Sequence, residues 1–171
     1  MAEYLGGGET SALYRDLVLE QKVAVGVSVD FHFVTRGNSV FSVSMLPAED
    51  ISPVEARELL YAAVTKAMSG LTTEKLKQTQ RKMTADLVYV NDNPEDAAYW
   101  IGTMLSNGFN LSDIENYAAN IEKINLKDVQ AAYRAVMQAS KTSGTLLPEN
   151  YKAPAPRQTV SNGGKNEQKT R

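Results

Sequence analysis

The chain has 171 residues, a formal net charge of −2, 43% hydrophobic residues and no cysteine. This apolar content can build the core of one globular domain, which excludes a chain that is disordered throughout. Without cysteine, neither a disulfide nor a thiolate metal site can form, and the redox state of the compartment stays undetermined.

Charge is distributed unevenly along the chain. From Lys152 onward there are five basic residues and one acid, a balance of +4, so the remaining chain carries −6. An acidic body argues against a nucleic-acid surface, and no apolar run reaches the ~20 residues of a membrane span. The first residues lack the basic and apolar regions of a signal peptide, and the localisation of the protein stays unknown.

A glycine turn opens the organised part of the chain. Gly6, Gly7 and Gly8 precede a short helix that Thr10 or Ser11 can cap. The inner face of this helix is predicted to carry three large side chains, Leu13, Tyr14 and Leu17. A phosphate-binding turn is excluded, because no strand precedes the glycines and no Gly-Lys-Ser/Thr follows them. The turn therefore predicts a tight entry to a helix that packs on a sheet.

The next residues alternate in a two-residue period that is typical of a strand. One predicted face carries four valines and a phenylalanine: Val23, Val25, Val27, Val29 and Phe31. A turn over 35–38 leads to a second alternating run over 39–46. We expect an antiparallel hairpin with one buried face.

Helix signals follow in quick succession. Ser52-Pro53-Val54-Glu55 predicts the start of a helix that Gly70 ends, and Gly108 is predicted to end a later one. Four further helices are predicted to begin at polar residues: Thr72 or Thr73, Asn93, Ser112 and Asn125. A last strand is predicted over 142–147. The fold class is α+β, a small, mostly antiparallel sheet packed against a layer of helices. We expect one domain over 1–149 and a disordered tail over 150–171.

The side chains offer little catalytic chemistry. His32 is the one histidine in the sequence, so a zinc site with two or three histidines cannot be built from this chain. A Gly-x-Ser-x-Gly elbow is also missing, and the pairs of carboxylates lie beside predicted helix starts, where the helix dipole favours them. We therefore expect no catalytic residue, no metal site and no enzymatic activity in this chain alone.

Four motifs in order resemble the C-terminal domain of the pitrilysin (insulinase) family of zinc metallopeptidases. They are the stretch from Gly6 to Ala24, Gly70-Leu71-Thr72-Thr73-Glu74-Lys75-Leu76, Asn91-Asp92-Asn93-Pro94 and Leu146-Leu147-Pro148-Glu149. The resemblance runs from about Ala2 to Glu149. It implies a half-domain that is incomplete at its N-terminus, with zinc bound by an H-x-x-E-H motif in a preceding N-terminal domain.

The resemblance also implies a place for this chain in a peptide chamber. The family's C-terminal domain often supplies an arginine and, seven residues later, a tyrosine that stabilise the oxyanion; these positions fall on Val18 and Val25. The expected wall of the chamber comprises Gly6, Gly7, Gly8, Val18 and Val25. Implied partners are the zinc-binding domain, an arginine- and tyrosine-bearing subunit and a peptide substrate. The alternative is a degenerate scaffold or protein-binding module without peptidase function.

Overall fold

The computed structural model describes residues 1–152 and 154, without the side chains of 88–92. In chain order the elements are α1 Ala2–Gly6, a π-helix Tyr14–Glu20, β1 Ala24–His32, β2 Val40–Pro47, α2 Pro53–Ser69, α3 Thr73–Asp92, α4 Pro94–Ser106, α5 Leu111–Glu115, α6 Tyr117–Lys123 and α7 Leu126–Gln138. A small antiparallel sheet with many helices confirms the predicted α+β class.

β1 and β2 form the antiparallel hairpin that the alternation predicts. Val29 lies opposite Val43 and Phe31 opposite Phe41, but the register shifts between Ala24 and Gly26. Such a bulge adds a residue to one strand and re-aims its side chains. Val25 is consequently 63% exposed. The prediction that Val25 shares the buried face is wrong, because alternation assumes an uninterrupted ladder.

The core lies between the hairpin and the helices α1, α2, α3, α7 and the π-helix, each of which contributes a buried residue. Leu13 and Leu17 are fully buried, which confirms two of the three residues predicted for the inner face of the helix that follows the glycine turn, whereas Tyr14 is half-buried. Leu5 of α1 is fully buried as well. Burial of each such leucine contributes roughly 1.5–3 kcal/mol. The glycine turn between α1 and the π-helix thus joins two segments that share one core.

Local capping chemistry sets the starts of the longer helices. Ser52 Oγ accepts from the Glu55 backbone N–H at 3.2 Å, and Thr72 and Asn93 cap α3 and α4 in the same way. The predicted helix from Ser112 differs, because Asn110 is the cap and the segment divides into α5 and α6.

Two groups of contacts attach the later helices to the rest of the fold. Phe33, after β1, contacts Trp100, Phe109 and Tyr117 with ring centroids 6.4, 6.3 and 6.0 Å away.

The second group is a set of hydrogen bonds between α3 and α6. The buried Gln80 of α3 donates to three carbonyl groups at the end of α6. Their distances are 2.6 Å to Ile121, 3.3 Å to Glu122 and 2.9 Å to Ile124. A side chain from a neighbouring helix thereby adds a donor at a helix end, where the Ile121 carbonyl also accepts from the Ile124 backbone N–H at 3.2 Å.

The predicted strand over 142–147 is wrong. This segment has no strand or helix assignment, and every one of its residues is exposed, Leu146 by 98%. Strand propensity does not suffice, since a strand needs a partner for its backbone groups. Within the described part of the chain, β1 pairs with β2 and with no other segment.

Most of the predicted tail, residues 153 and 155–171, lies outside the described residues. The expected division into a domain over 1–149 and a tail therefore stays a prediction. Tyr151 is half-buried, and its backbone N–H donates to the Pro148 carbonyl at 3.0 Å. None of the described helices has the length and apolar character needed to cross a membrane.

Candidate functional site

The glycine turn brings α1 into direct contact with β1. A Cβ on Gly6 would lie 2.6 Å from the Cβ of Val29, and one on Gly7 would lie 2.0 Å from Oε1 of Glu3. Gly8 has a φ of +95°, which L side chains rarely adopt. Gly6 and Gly7 are therefore required by close packing, and Gly8 is required by its backbone conformation. This agrees with the predicted tight turn at the start of a helix.

A lysine of α3 fastens this turn. Lys82 Nζ lies 2.5 Å from Oε1 of Glu3 and also donates to the Gly7 carbonyl. The first contact is to the carboxylate of Glu3 in the first turn of α1, and the second is to a carbonyl just after its last residue, where carbonyls have no partner within the helix. Lys82 thus acts as a charged cap on α1.

A cleft of about 560 Å³ opens beside the turn, between α1, the π-helix and the facing parts of α2 and α3. Its lining includes charged side chains of both signs: Glu3, Arg15, Asp16, Glu20, Lys66, Lys75 and Lys82. Because three carboxylates and four cations line it, the cleft has no strong preference for one charge.

One ion pair crosses this cleft. Asp16 is 93% buried in the π-helix, and its Oδ1 lies 2.6 Å from Nζ of the exposed Lys66 on α2. The hydrogen bond and the charge of Asp16 raise the pKa of Lys66 above its ordinary value. Oδ2 of Asp16 is buried without a hydrogen-bond partner among the described residues. The pair therefore holds the π-helix against α2 at the cost of one unsatisfied oxygen.

The two valines predicted at family site positions lie in different surroundings. Val18 belongs to the π-helix and packs, partly buried, against the core. Val25 lies at the bulge of β1 and faces solvent. Neither side chain can donate a hydrogen bond or carry charge. A π-helix is uncommon and recurs at functional sites, which makes the segment with Val18 notable.

The sheet turns one face away from the core. On this open face, Ser28 Oγ lies 2.7 Å from Ser44 Oγ across the two strands. His32, at the end of β1, is exposed and opposite Val40. Within the described residues, no group of three or more His, Asp or Glu side chains could hold a metal ion. The described residues therefore do not fit a zinc site.

The sequence does not reveal the residues that assemble the cleft. Glu3, Asp16, Lys66 and Lys82 come from four separate elements, and each looks like an ordinary surface charge in its own segment. The position of Asp16 directly before the buried Leu17 gives no clear signal, because its helix also carries Arg15 and Glu20. The partner of Asp16 lies 50 residues away, which local patterns cannot identify.

Comparison with known proteins gives a structural likeness but no sequence relative. No protein-family model matches the chain, and no curated protein matches it. Among solved structures, the chain is similar to a protease from Helicobacter pylori, with a TM-score of 0.71 and 19% sequence identity. The likeness covers 78% of this chain and 32% of the protease chain. At this identity it establishes the fold.

The class that this likeness defines is a fold class, an α+β domain like that of part of the protease chain. The chain spans about a third of the protease chain that it matches. The likeness is thus to a part of the larger protein, and the activity of that protein does not transfer with the fold.

Proposed function

We propose that the chain is the non-catalytic C-terminal domain of a pitrilysin-like zinc metallopeptidase subunit. The observation that carries this proposal is the structural likeness to about a third of a protease chain, over 78% of this chain. The ordered motifs between Ala2 and Glu149 support the same family by sequence.

In this role the chain walls a peptide-binding chamber and contributes no reacting group. Val18 and Val25 occupy the positions where the family often has an arginine and a tyrosine. Valine cannot stabilise an oxyanion, so those donors would come from a partner subunit. Zinc would come from a preceding N-terminal domain with an H-x-x-E-H motif, where it would polarise the peptide carbonyl and activate water.

The open face of the hairpin is the surface we assign to the chamber. Ser28, Ser44 and Asp30 give it hydrogen-bonding groups along β1 and β2. Gly26 leaves a gap beside them, because nothing lies within 4 Å of the Cβ it lacks. Small and polar side chains of this kind can accommodate extended peptides of varied sequence.

The second candidate function is a scaffold without peptidase activity. Valine at both donor positions favours it, since a degenerate family member also has no need of an arginine or a tyrosine there. The two candidate functions differ in the other proteins or domains that each requires. A peptidase requires a zinc-bearing domain in the same assembly, whereas a scaffold requires a binding partner alone.

Coexpression with the adjoining coding sequence tests the proposal. We expect an H-x-x-E-H motif upstream in the same gene or in a neighbouring gene, and zinc-dependent hydrolysis of a quenched fluorescent peptide by the assembled protein. Replacing the motif's glutamate with glutamine should abolish hydrolysis and preserve assembly. The 171-residue chain alone serves as the control and should hold no stoichiometric zinc.

Two results would overturn the peptidase proposal. One is the lack of any H-x-x-E-H motif near this sequence. The other is zinc-dependent hydrolysis by the purified chain alone, at one tightly bound zinc per chain. Stable assembly with an H-x-x-E-H protein without hydrolysis would instead favour the scaffold.

A further inference from the structure

The outer face of α4 exposes apolar side chains in a helical period. Ala98, Ile101 and Leu105 are exposed, Leu105 by 45%, whereas Met104 on the opposite side of the helix is buried. With Gly102, they follow the i, i+3, i+4, i+7 spacing of one helix face. A helix normally turns such a face toward a core. α4 therefore has an apolar face in addition to the one that the described fold covers.

Gly102 leaves a gap in the middle of this outer face. It lies inside α4, where glycine costs about 1 kcal/mol relative to alanine. Among the described residues, nothing lies within 4 Å of the Cβ that Gly102 lacks, and its φ is not positive. Neither packing nor conformation within the described fold thus requires this glycine. A gap of this kind accepts a large side chain from an approaching backbone.

The outer face fits a second copy of itself in the antiparallel orientation. When Ile101 of one copy lies opposite Gly102 of the other, the same register sets Leu105 opposite Ala98. Each contact then places a large side chain over a small one, which is how packed helices interdigitate. A parallel pair would instead set Leu105 against Leu105 and Gly102 against Gly102. The pattern of large and small residues therefore selects the antiparallel pair.

The two ends of α4 carry opposite charges. Glu95 and Asp96 are exposed in its first turn. At its last residue, the carbonyl of Ser106 accepts from Nε of the exposed Arg36 at 3.0 Å. The antiparallel register brings the first turn of each α4 beside the last turn of the other, so that Glu95 of one copy lies beside Arg36 of its partner. Opposite charges then meet at both ends of the contact.

We propose that two copies of the chain associate through the outer faces of α4, packed antiparallel about a two-fold axis. Both patterns select a second copy as the occupant. It presents small side chains where this face presents large ones, and a cation where this face presents carboxylates. One helix per copy is a small interface, so we expect a dissociation constant on the order of 10 μM. This association does not depend on a peptidase function.

Disulfide trapping with the full 171-residue chain tests the register, because the sequence has no cysteine. An Ala98→Cys chain and a differently tagged Leu105→Cys chain are mixed and mildly oxidised, and we expect a covalent heterodimer. Ala98→Cys by itself is the matched control. In the antiparallel pair its two copies are offset by the distance between positions 98 and 105, about 10 Å along a helix, which a disulfide cannot span. Equal linking in the control, or none in the mixture, would overturn the antiparallel packing.

Analytical ultracentrifugation of the unmodified chain and Gly102→Leu gives a second measurement. The added side chain fills the gap that Ile101 of the other copy needs, so dimerisation should weaken by roughly tenfold or more. One copy should keep its fold and melting temperature, because no described atom lies within 4 Å of the new Cβ. The substitution also adds apolar surface. Stronger association of Gly102→Leu would therefore indicate non-specific apolar contact and overturn the proposal.

Charge reversal tests the contacts at the helix ends. Glu95→Arg and Arg36→Glu should each weaken dimerisation, because each brings like charges together, and the two substitutions in one chain should restore it. Glu74→Arg reverses a carboxylate in the first turn of α3 and should have no effect. A double variant that does not recover would overturn the assigned orientation. An unmodified chain that stays monomeric at about 100 μM would overturn the proposal as a whole.

Discussion

Gly6 lies against Val29 so closely that a Cβ on Gly6 would be 2.6 Å from the Cβ of Val29. We therefore predict that Gly6→Ala destabilises the domain by about 1–3 kcal/mol, because the backbone of α1 must move off β1. Gly26→Ala is the matched control, since no atom lies within 4 Å of its added methyl group. Urea unfolding of the two variants checks the prediction; equal stabilities would contradict it.

The ion pair between Asp16 and Lys66 predicts a dependence of stability on alkaline pH. The pair raises the pKa of Lys66 in the folded state. The folded protein therefore binds the proton of the Lys66 ammonium group more tightly than the unfolded chain does. The contribution of the pair is fully present below the ordinary lysine pKa of 10.5 and is lost as the pH rises through the higher folded pKa.

Melting temperatures of the unmodified chain and Lys66→Gln measure this effect. We expect the unmodified chain to be more stable near neutral pH and the difference to shrink above the ordinary lysine pKa. Lys77 is an exposed lysine of α3 that lies outside the ion pair, and Lys77→Gln should show no such trend. A constant difference at all pH values would refute the assignment.

Gln80 should be sensitive to substitution despite lying on a largely polar helix. Gln80→Leu removes a buried donor from the carbonyls of Ile121, Glu122 and Ile124; Ile121 keeps the Ile124 backbone N–H as a donor at 3.2 Å. The expected loss is about 1–3 kcal/mol in the free energy of unfolding. The exposed Gln78 provides the control, because Gln78→Leu leaves every one of those hydrogen bonds in place. A similar result for both variants would show that the bridge contributes nothing.

Phe33 should determine the environment of Trp100, the one tryptophan in the sequence. Phe33→Ala removes the ring that contacts Trp100, Phe109 and Tyr117, and we expect a loss of about 2–3 kcal/mol with a red-shifted Trp100 emission. Tyr99→Ala changes a neighbour of Trp100 that is 78% exposed and should leave the emission unchanged. An unshifted spectrum for Phe33→Ala would contradict the described packing.

Elements defined by chemistry within a few residues could be predicted from the sequence. Ser52, Asn93 and Asn125 are helix caps because their side chains bond to backbone groups two or three positions ahead. The hairpin could be predicted as well, because apolar and polar residues alternate in two neighbouring runs that a turn joins. The fold class, which depends on such elements, was therefore predictable.

Features that depend on distant partners could not be predicted. Val25 is exposed because a bulge interrupts the ladder with β2, and a period-two pattern carries no sign of a bulge. Residues 142–147 have strand-like composition but no strand to pair with inside the described fold. The cleft beside the glycine turn needs Lys66 and Lys82, whose partners lie 50 and 79 residues away.

These separations also set an order in time. The bonded pair Ser28 and Ser44 is 16 residues apart, whereas Lys82 and Glu3 are 79 apart. Hairpins form in about 1–10 μs, and the entropy lost on closing a loop grows with its length. The hairpin should therefore assemble early, and the ion pair between Lys82 and Glu3 should close after it. Until then the nearer contact of Gly6 with Val29, 23 residues along the chain, is what places α1 on the hairpin.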